Sequence, residues 1–298
     1  MPGIYQGSVD RYAAIKPEEK DGYSLIMDIG QCVVDSCRWE EPPGDLIIPS
    51  DEVHVWRASL ARPADCIQQL AQMLSADERL RAGRFHFQRD RLHFIIGRGM
   101  LRTILGQYLG VDPARLRFEY SSHGKPSLEP KGFETPVGLV PCFSISHAHG
   151  LALCAVTCNR EVGVDLELIR PISEVEQLVE SFFSSREKAI FQMLPASRRQ
   201  EAFFNCWTRK EAYLKASGDG LARPLDEVEA LRAQGESAWL LRIAGDFQEA
   251  SRWSIRDLLP ASGYTAALVV EGHAWQLKCW DFDDVCRKGE VRPSVATG

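Results

Sequence analysis

The sequence repeats itself at a fixed interval, and this duplication restricts the possible folds more than any other feature. Residues 53–58 alternate in the way expected of a half-buried strand, and residues 162–167 do so 109 positions later. Phe94 and Phe203, each within a helical pattern, are separated by the same interval. The interval predicts two copies of one structural unit; chance similarity between amphipathic segments is the alternative.

Each predicted strand leads to the same signal for the start of a helix. Ser75 can cap a helix whose Glu78 reaches back to the backbone of the capping residue, an arrangement known as a capping box. Ser184 and Glu187 repeat this arrangement, again 109 positions later. The repeat therefore includes a strand and the helix that follows it.

A further correspondence completes the predicted architecture. Residues 150–156 resemble residues 263–269, 113 positions later, and a loop that is four residues longer would explain the change of interval. Two copies are too few for a solenoid. The predicted fold class is α+β, a pseudo-dimer of two similar halves, and a site between them would draw unlike residues from like positions.

The pattern also predicts where the halves begin and end. The first half spans residues 51–160 and the second spans residues 161–286. Residues 1–50 have weak periodicity and end in a loop-like stretch, so they are predicted to be an N-terminal extension outside the main fold. Residues 287–298 are predicted to be a loose tail.

Composition restricts the partners and the cellular compartment. The chain has 298 residues, of which 45% are hydrophobic, and a formal net charge of −6, which does not favour nucleic acid or an anionic membrane as a partner. No apolar run approaches the roughly 20 residues that span a bilayer, and no signal peptide is recognisable. Nine cysteines, an odd number without Cys-x-x-Cys spacing, indicate buried thiols in a reducing cytoplasm.

The two copies differ most where the second gains acidic residues. Trp56 and Ala58 of the first strand correspond to Asp165 and Glu167 of the second. Residues two apart in a strand share a face, so the two carboxylates project together. Like charges on a half-buried strand are costly unless a cation neutralises them, and oxygen ligands favour Mg²⁺. A solvent-facing acidic edge is the alternative.

A predicted helix supplies a second set of polar residues. Trp207, Glu211 and Lys215 lie at i, i+4 and i+8 on one face. Glu211 could complete a site of three carboxylates, and Lys215 could neutralise a phosphate. A surface Glu–Lys pair is the alternative.

Other candidate residues lie in the first half. Ser146 and His147 end an alternating segment at a predicted turn, where a ligand could reach them, and Lys125 lies in a Gly-Lys-Pro turn. The chain has no Gly-x-Ser-x-Gly elbow, so a serine hydrolase is not indicated. Between residues 79 and 102 stand seven arginines against one aspartate, which predicts a positive surface suited to phosphates or an acidic partner; a solvated helix face is the alternative for part of it.

The order and spacing of these motifs resemble those of the surfactin-type 4′-phosphopantetheinyl transferases. The motifs are Gly-Lys-Pro at 124–126, Phe-x-x-Ser-His at 143–147, Gly-Val-Asp-x-Glu at 163–167, Phe-Phe-Ser-x-x-Glu at 182–187 and Trp-x-x-Lys-Glu-Ala-x-x-Lys at 207–215. The resemblance covers roughly residues 53–270. It implies a pseudo-dimeric α+β fold and transfer of phosphopantetheine from coenzyme A to a serine of an acyl, peptidyl or aryl carrier protein, with release of 3′,5′-ADP.

The resemblance also implies roles for individual residues. The implied ligands of Mg²⁺, together with the coenzyme A pyrophosphate, are Asp165, Glu167 and Glu211. The implied catalytic residues are Glu211, as the base for the carrier serine, and Lys215, which also binds the phosphate region. The implied contacts of the nucleotide end are Lys125, Ser146 and His147, with His147 at the 3′-phosphate, and Arg81 matches a family position that contacts a coenzyme A phosphate.

Two departures from the family pattern leave the 3′-phosphate contacts open. Glu78 stands where many relatives have a basic residue, and Phe94 stands where relatives can offer a hydroxyl group. The metal site is not affected. The carrier protein, and whether it serves fatty acid, polyketide or peptide synthesis, also stays open, while the internal duplication favours a monomer.

Two other function classes remain possible at this point. A Mg²⁺-dependent phosphohydrolase or nucleotidyl enzyme would use the same carboxylates with water as the nucleophile. A non-catalytic module would bind coenzyme A or a carrier protein, although such a module does not need three converging carboxylates.

Overall fold

The computed structural model describes residues 27–29, 38–129, 141–233, 240–244 and 246–282, so the predicted tail at 287–298 lies outside the described residues. The helices are Ala64–Met73 (α1), Ala76–Gly83 (α2), Gln88–Leu109 (α3), Val175–Phe182 (α4), Ser185–Met193 (α5), Ala196–Ser217 (α6) and Phe247–Ala250 (α7), with short 3₁₀ turns at Pro113–Arg115, Gly220–Ala222 and Leu225–Glu227. The strands are Met27–Asp28 (β1), Trp39–Glu40 (β2), Glu52–Ser59 (β3), Phe118–Tyr120 (β4), Pro126–Leu128 (β5), Pro141–Ala148 (β6), Leu151–Cys158 (β7), Val162–Leu168 (β8), Val228–Ala233 (β9), Leu240–Ile243 (β10), Trp253–Leu258 (β11), Tyr264–Glu271 (β12) and Gln276–Asp281 (β13).

Two sheets form the centre of the molecule, one for each predicted half. The first has the strand order β2-β13-β3-β7-β6, and the second has the order β11-β12-β8. In each half a strand (β3 or β8) is followed by three helices, the third of which has 22 residues (α3 or α6). A later strand (β7 or β12) returns and pairs with the first. The predicted α+β pseudo-dimer is confirmed.

The alternation of side chains along β3 and β8 explains how the sheets pack. Val53 and Val55 of β3 share a buried core with Val164 and its neighbours on β8, so the two sheets lie face to face. The intervening residues of β3, including Trp56, belong to a separate core against α3. Because strand residues alternate, Asp165 lies on the side of β8 that faces away from the shared core.

Both predicted capping boxes are present, and each glutamate also forms a buried ion pair. Glu78 Oε2 accepts hydrogen bonds from the N–H of the capping serine (2.9 Å) and from Arg102 Nε of α3 (2.7 Å). Glu187 Oε2 accepts from its capping serine (2.9 Å) and lies 2.6 Å from Lys210 Nζ of α6. All four side chains are almost fully buried. The duplication therefore extends to the ion pairs that attach the short helix to the long one.

Two predictions about chain organisation need correction. β13, assigned to the second half from its sequence position, pairs in parallel with β3 in the first sheet. The described parts of residues 1–50 are not an appendage, because β1 pairs with β9, β2 pairs with β13, and Ile29 is fully buried. Weak periodicity in such short strands gave no sign of this pairing.

Among the described residues, Cys279 is the cysteine that differs from the prediction. Cys279 on β13 is disulfide-bonded, although all nine cysteines were expected to be free thiols. Among the described residues the free cysteines are Cys66, Cys142, Cys154, Cys158 and Cys206. The disulfide was missed because pairing depends on which segments meet in space, which Cys spacing does not reveal.

The close contact between β8 and α6 depends on Gly163. A Cβ atom at this position would lie 1.8 Å from the carbonyl oxygen of Ala212 and 2.5 Å from the amide nitrogen of Ala216. Real Cβ atoms do not approach backbone atoms so closely, so only glycine allows this packing. The strand that carries Asp165 is thereby brought against the helix that carries Lys215.

Candidate active site

The centre of the candidate site is the carboxylate of Asp165, which is 5% exposed. Its Oδ1 accepts hydrogen bonds from Lys215 Nζ (2.8 Å) and from Ser146 Oγ (2.9 Å). These three residues come from β8, α6 and β6, so the site lies where the two halves meet. The sequence-predicted residues Asp165, Lys215 and Ser146 are therefore brought together.

The second oxygen of Asp165 differs from the first. Oδ2 is buried and has no hydrogen bond among the residues that the structure describes. Burial raises the pKa of Asp165, and Lys215 and Ser146 offset only part of that increase. An orphaned carboxylate oxygen of this kind is costly and indicates a missing ligand.

Glu167 lies on the same face of β8, two residues further along. Burial, reinforced by the negative charge of Asp165, raises the pKa of Glu167 to about 7. Because β8 is a regular strand over Val162–Leu168, the two carboxylates share one face, and the charge of Asp165 disfavours ionisation of Glu167.

Glu211 lies on α6, one turn before Lys215, and is 4% exposed. It belongs to the buried part of α6 and precedes Ala212, whose carbonyl oxygen faces Gly163 of β8. Within the described residues, no group of three or more His, Cys, Asp and Glu side chains has the spacing of a preformed metal site. The three carboxylates predicted to hold Mg²⁺ are therefore not grouped as three metal ligands in this part of the chain.

The donor set nevertheless fits Mg²⁺. This ion usually binds through one or two carboxylates, substrate phosphates and waters rather than through an all-protein cage. Asp165 and Glu167 supply adjacent oxygens, and the orphaned Oδ2 of Asp165 is available as a ligand. The residues present match an ion that arrives together with a phosphate-bearing substrate.

His147 follows Ser146 on β6 and is exposed, as the sequence predicted for a residue near a turn. Desolvation of the imidazole, together with the positive charge of Lys215, holds the pKa of His147 below its usual value. A bound phosphate would act in the opposite direction and favour the protonated form.

Lys125 lies in the hairpin loop between β4 and β5 and reaches the second half. Its Nζ pairs with Glu161 and donates to the carbonyl oxygen of Ala216 (2.8 Å). Lys125 and Lys215 line one cleft between β6 and the end of α6; the other lining residues are His123, Pro126, Phe143, Ser144, Ile145, Leu214, Gly218 and Gly220. The sequence motifs identified both lysines. They gave no sign that Lys125 pairs with Glu161.

The arginine-rich stretch divides into two groups. Arg81 is exposed, with its guanidinium 5.4 Å from the centre of the Phe94 ring. Arg98 and Arg102, however, are buried and paired with Glu78, so the positive surface predicted for the whole stretch is wrong at these two positions. Their charges are satisfied inside the first half, which a local sequence pattern could not reveal.

Gly163 also shapes the site, although it was not among the residues predicted from the sequence. The available signal was a glycine inside a strand pattern, which often marks a close approach of another backbone. Here the approaching backbone is that of α6.

Two family models match consecutive parts of the chain. The model described as 4′-phosphopantetheinyl transferase, N-terminal, matches residues 55–159. The model described as 4′-phosphopantetheinyl transferase superfamily matches residues 161–269. Together they cover the two structural copies described above.

Individual relatives agree with the family models. The chain is 45% identical over 244 residues to the 4′-phosphopantetheinyl transferase HetI of Nostoc sp., which covers 82% of this chain and 98% of the relative. It is 26% identical over 159 residues to the 4′-phosphopantetheinyl transferase Sfp of Bacillus subtilis, covering 53% of this chain and 66% of Sfp.

No helix among the described residues is both long and apolar enough to cross a membrane.

Proposed function

Since this chain belongs to the 4′-phosphopantetheinyl transferase family, we propose that it transfers phosphopantetheine from coenzyme A to a serine of an acyl, peptidyl or aryl carrier protein. The observation that supports this most directly is the buried carboxylate of Asp165, held by Lys215 and Ser146 where the two halves meet. In one buried site, the acidic groups would bind a metal ion and the basic group would bind a pyrophosphate. Both halves of the site belong to one chain, which supports a monomer.

The proposed cofactor is Mg²⁺, held by Asp165 and Glu167 with Glu211 as the third protein ligand. When bound, Mg²⁺ neutralises phosphate charge and polarises the phosphorus that is attacked. Two observations support this assignment: Oδ2 of Asp165 is buried without a hydrogen bond among the described residues, and burial together with the charge of Asp165 raises the pKa of Glu167, so a cation beside them would be favourable.

Lys215 is the proposed cation for the pyrophosphate of coenzyme A. Its ammonium group lies 2.8 Å from Asp165 Oδ1, so it is already directed towards the metal ligands. It would contact a phosphate oxygen as the substrate binds and would stabilise the charge that develops as the new phosphodiester forms.

The nucleotide end of coenzyme A would lie along the first half. The proposed contacts are Arg81, Lys125, Ser146 and His147, with His147 at the 3′-phosphate. Lys125 would exchange Glu161 for a phosphate, which its location beside the cleft permits. Ser146 would keep its hydrogen bond to Asp165 and so orient this carboxylate.

The reaction is a displacement at the β-phosphorus. The carrier serine oxygen forms a bond to this phosphorus while the bond to the oxygen bridging the α- and β-phosphates breaks, and 3′,5′-ADP leaves with that oxygen. The serine proton passes to Glu211, directly or through a water. Positioning and charge neutralisation carry most of the rate enhancement in such reactions.

Incubation with coenzyme A, Mg²⁺ and a panel of apo-carrier proteins, followed by intact-mass measurement, tests the proposal. The expected result is a mass increase by one phosphopantetheine on a carrier serine, and absence of transfer to every carrier would contradict it. Release of nucleotide from coenzyme A without a carrier would instead support a phosphohydrolase. Coenzyme A binding without either reaction would support a non-catalytic binding module.

A further inference from the structure

A buried network of charged side chains lies at the base of the β4–β5 hairpin. Glu78 Oε1 is 3.2 Å from Arg98 Nε, and Glu78 Oε2 accepts from Arg102 Nε at 2.7 Å. The exposed fractions of the three residues are 2%, 9% and 1%. Glu78 therefore faces the interior of the first half, where it neutralises two arginines, and does not face a phosphate site.

The two arginines hold the base of the hairpin. Arg98 Nη2 donates to the hydroxyl oxygen of Tyr120 at 2.5 Å, and its guanidinium lies 5.1 Å from the Phe118 ring centre and 5.7 Å from that of Tyr120. Arg102 lies 5.1 Å from the same Phe118 ring and donates to the carbonyl oxygen of Leu116 at 2.9 Å. Cation–π contacts and charge-assisted hydrogen bonds thus attach the hairpin to α3.

The tip of the same hairpin reaches α6 in the other half. Lys125 Nζ donates to the carbonyl oxygen of Ala216 at 2.8 Å, and His123 Nδ1 lies 3.2 Å from the carbonyl oxygen of Gly218. Lys125 and Lys215 line one cleft. The placement of the hairpin on α3 therefore determines where Lys125 lies relative to Lys215.

We propose that Glu78, Arg98 and Tyr120 are positioning residues for coenzyme A, acting through the hairpin that carries Lys125. Glu78 fixes Arg98, Arg98 fixes Tyr120, and the three-residue strands of the hairpin transmit this position to Lys125. This inference rests on the proposed function, since it takes Lys125 as a contact of the nucleotide. The inference also explains an acidic residue at position 78, where many relatives have a basic one: Glu78 would hold Arg98 in place and would not contact a phosphate.

Tyr120→Phe is the most informative variant, because it removes the hydrogen bond from Arg98 while keeping the ring, and Tyr120 is 42% exposed. The KM for coenzyme A should rise by about 3- to 10-fold, as expected for one charge-assisted hydrogen bond acting indirectly. The kcat value and the KM for the carrier should stay within about 2-fold of the wild type, since neither reacting group is displaced. Arg98→Lys, which cannot contact Glu78 and Tyr120 together, should also raise the KM for coenzyme A.

Tyr108→Phe is the matched control. It makes the same chemical change on a residue of α3 whose hydroxyl bonds to His54 and Trp56 of β3 instead of to the hairpin. This variant should lower the melting temperature and leave the KM for coenzyme A unchanged. A merely structural role for Tyr120 would give the same outcome as this control.

Calorimetric titration with coenzyme A keeps the test independent of carrier transfer. The dissociation constant should rise for Tyr120→Phe and Arg98→Lys but not for Tyr108→Phe. Wild-type values of both KM and the dissociation constant for Tyr120→Phe would overturn the inference. If the wild type binds coenzyme A but transfers to no carrier, the proposed function fails while the titration still decides the positioning role.

Discussion

Lys215 Nζ lies 2.8 Å from Asp165 Oδ1, and the other oxygen of this buried carboxylate has no hydrogen-bond partner among the described residues. One half of the carboxylate is thus neutralised by the protein and the other half is left for a ligand. A substitution of Asp165 should therefore affect both the contact with Lys215 and the binding of a metal ion.

Asp165→Asn should lower transfer by about 10²–10³-fold at saturating coenzyme A, because it removes the charge that would hold Mg²⁺. The side chain keeps its size, so the fold should persist; circular dichroism serves as the check. Steady-state transfer to a carrier protein, measured at several Mg²⁺ concentrations, is the assay. A wild-type rate at saturating Mg²⁺ would remove Asp165 from the metal site.

Glu167 should make the metal-free protein less stable as pH rises. Its pKa is raised from 4.5 to about 7 in the folded state, so the folded protein binds more protons than the unfolded chain between these values. The contribution of Glu167 to the free energy of unfolding should be fully present below pH 4.5 and should be lost as pH rises through 7. The loss should be on the order of 1–3 kcal/mol. Urea unfolding of the wild type and of Glu167→Gln from pH 5 to 8 measures this loss. If the free energy of unfolding depended on pH identically in the two proteins, the prediction would be contradicted.

Glu211→Gln separates two proposed roles that compete, because a carboxylate bound to Mg²⁺ is a poor base. If the base role dominates, the variant should bind coenzyme A and Mg²⁺ nearly normally and lose turnover by about 10²–10⁴-fold. If the ligand role dominates, excess Mg²⁺ should restore much of the rate. A Mg²⁺ titration of transfer distinguishes them, and unchanged activity at low Mg²⁺ would exclude both roles.

His147→Ala should raise the KM for coenzyme A by about 10- to 100-fold with little change in kcat, since a 3′-phosphate contact is remote from the reacting phosphorus. Dephospho-coenzyme A, which lacks that phosphate, should be used about equally by wild type and variant. A large remaining difference with this substrate would place His147 elsewhere.

Gly163→Ala should destabilise the protein by about 2–4 kcal/mol and reduce transfer, because the new Cβ would lie 1.8 Å from the carbonyl oxygen of Ala212 and force β8 away from α6. Gly97→Ala is the control, as its Cβ would meet only Ile145 Cδ1 at 3.8 Å. Thermal unfolding and transfer assays check both variants. If the two substitutions lowered stability and transfer equally, the close contact between Gly163 and α6 would not be the cause.

The fold could be predicted largely from local patterns. Alternation at residues 53–58 and 162–167 and the two capping boxes specify short-range geometry, and their repetition at one interval was enough to infer two like halves. The positions of β1, β2 and β13 were not predictable in this way, because pairing between distant segments depends on which sheet edges are open. The same limit applies to the disulfide at Cys279.

The candidate site shows the same division. Spacing placed Asp165 with Glu167 on one strand face and Glu211 with Lys215 on one helix face, since both follow from the periods of strands and helices. The contact between strand and helix, and the position of Ser146 beside Asp165, arose only when the halves packed together.

By itself, then, the sequence determined the duplicated α+β fold and the acidic and basic residues of the site, because each depends on neighbours within a few positions of the chain. Only the tertiary structure decided which charges are already paired. Glu78 forms ion pairs with Arg98 and Arg102 inside the first half, while one oxygen of Asp165 has no hydrogen bond among the residues that the structure describes. The physical reason is that the cost of a buried charge is set by the groups around it in space, and these come from distant parts of the chain.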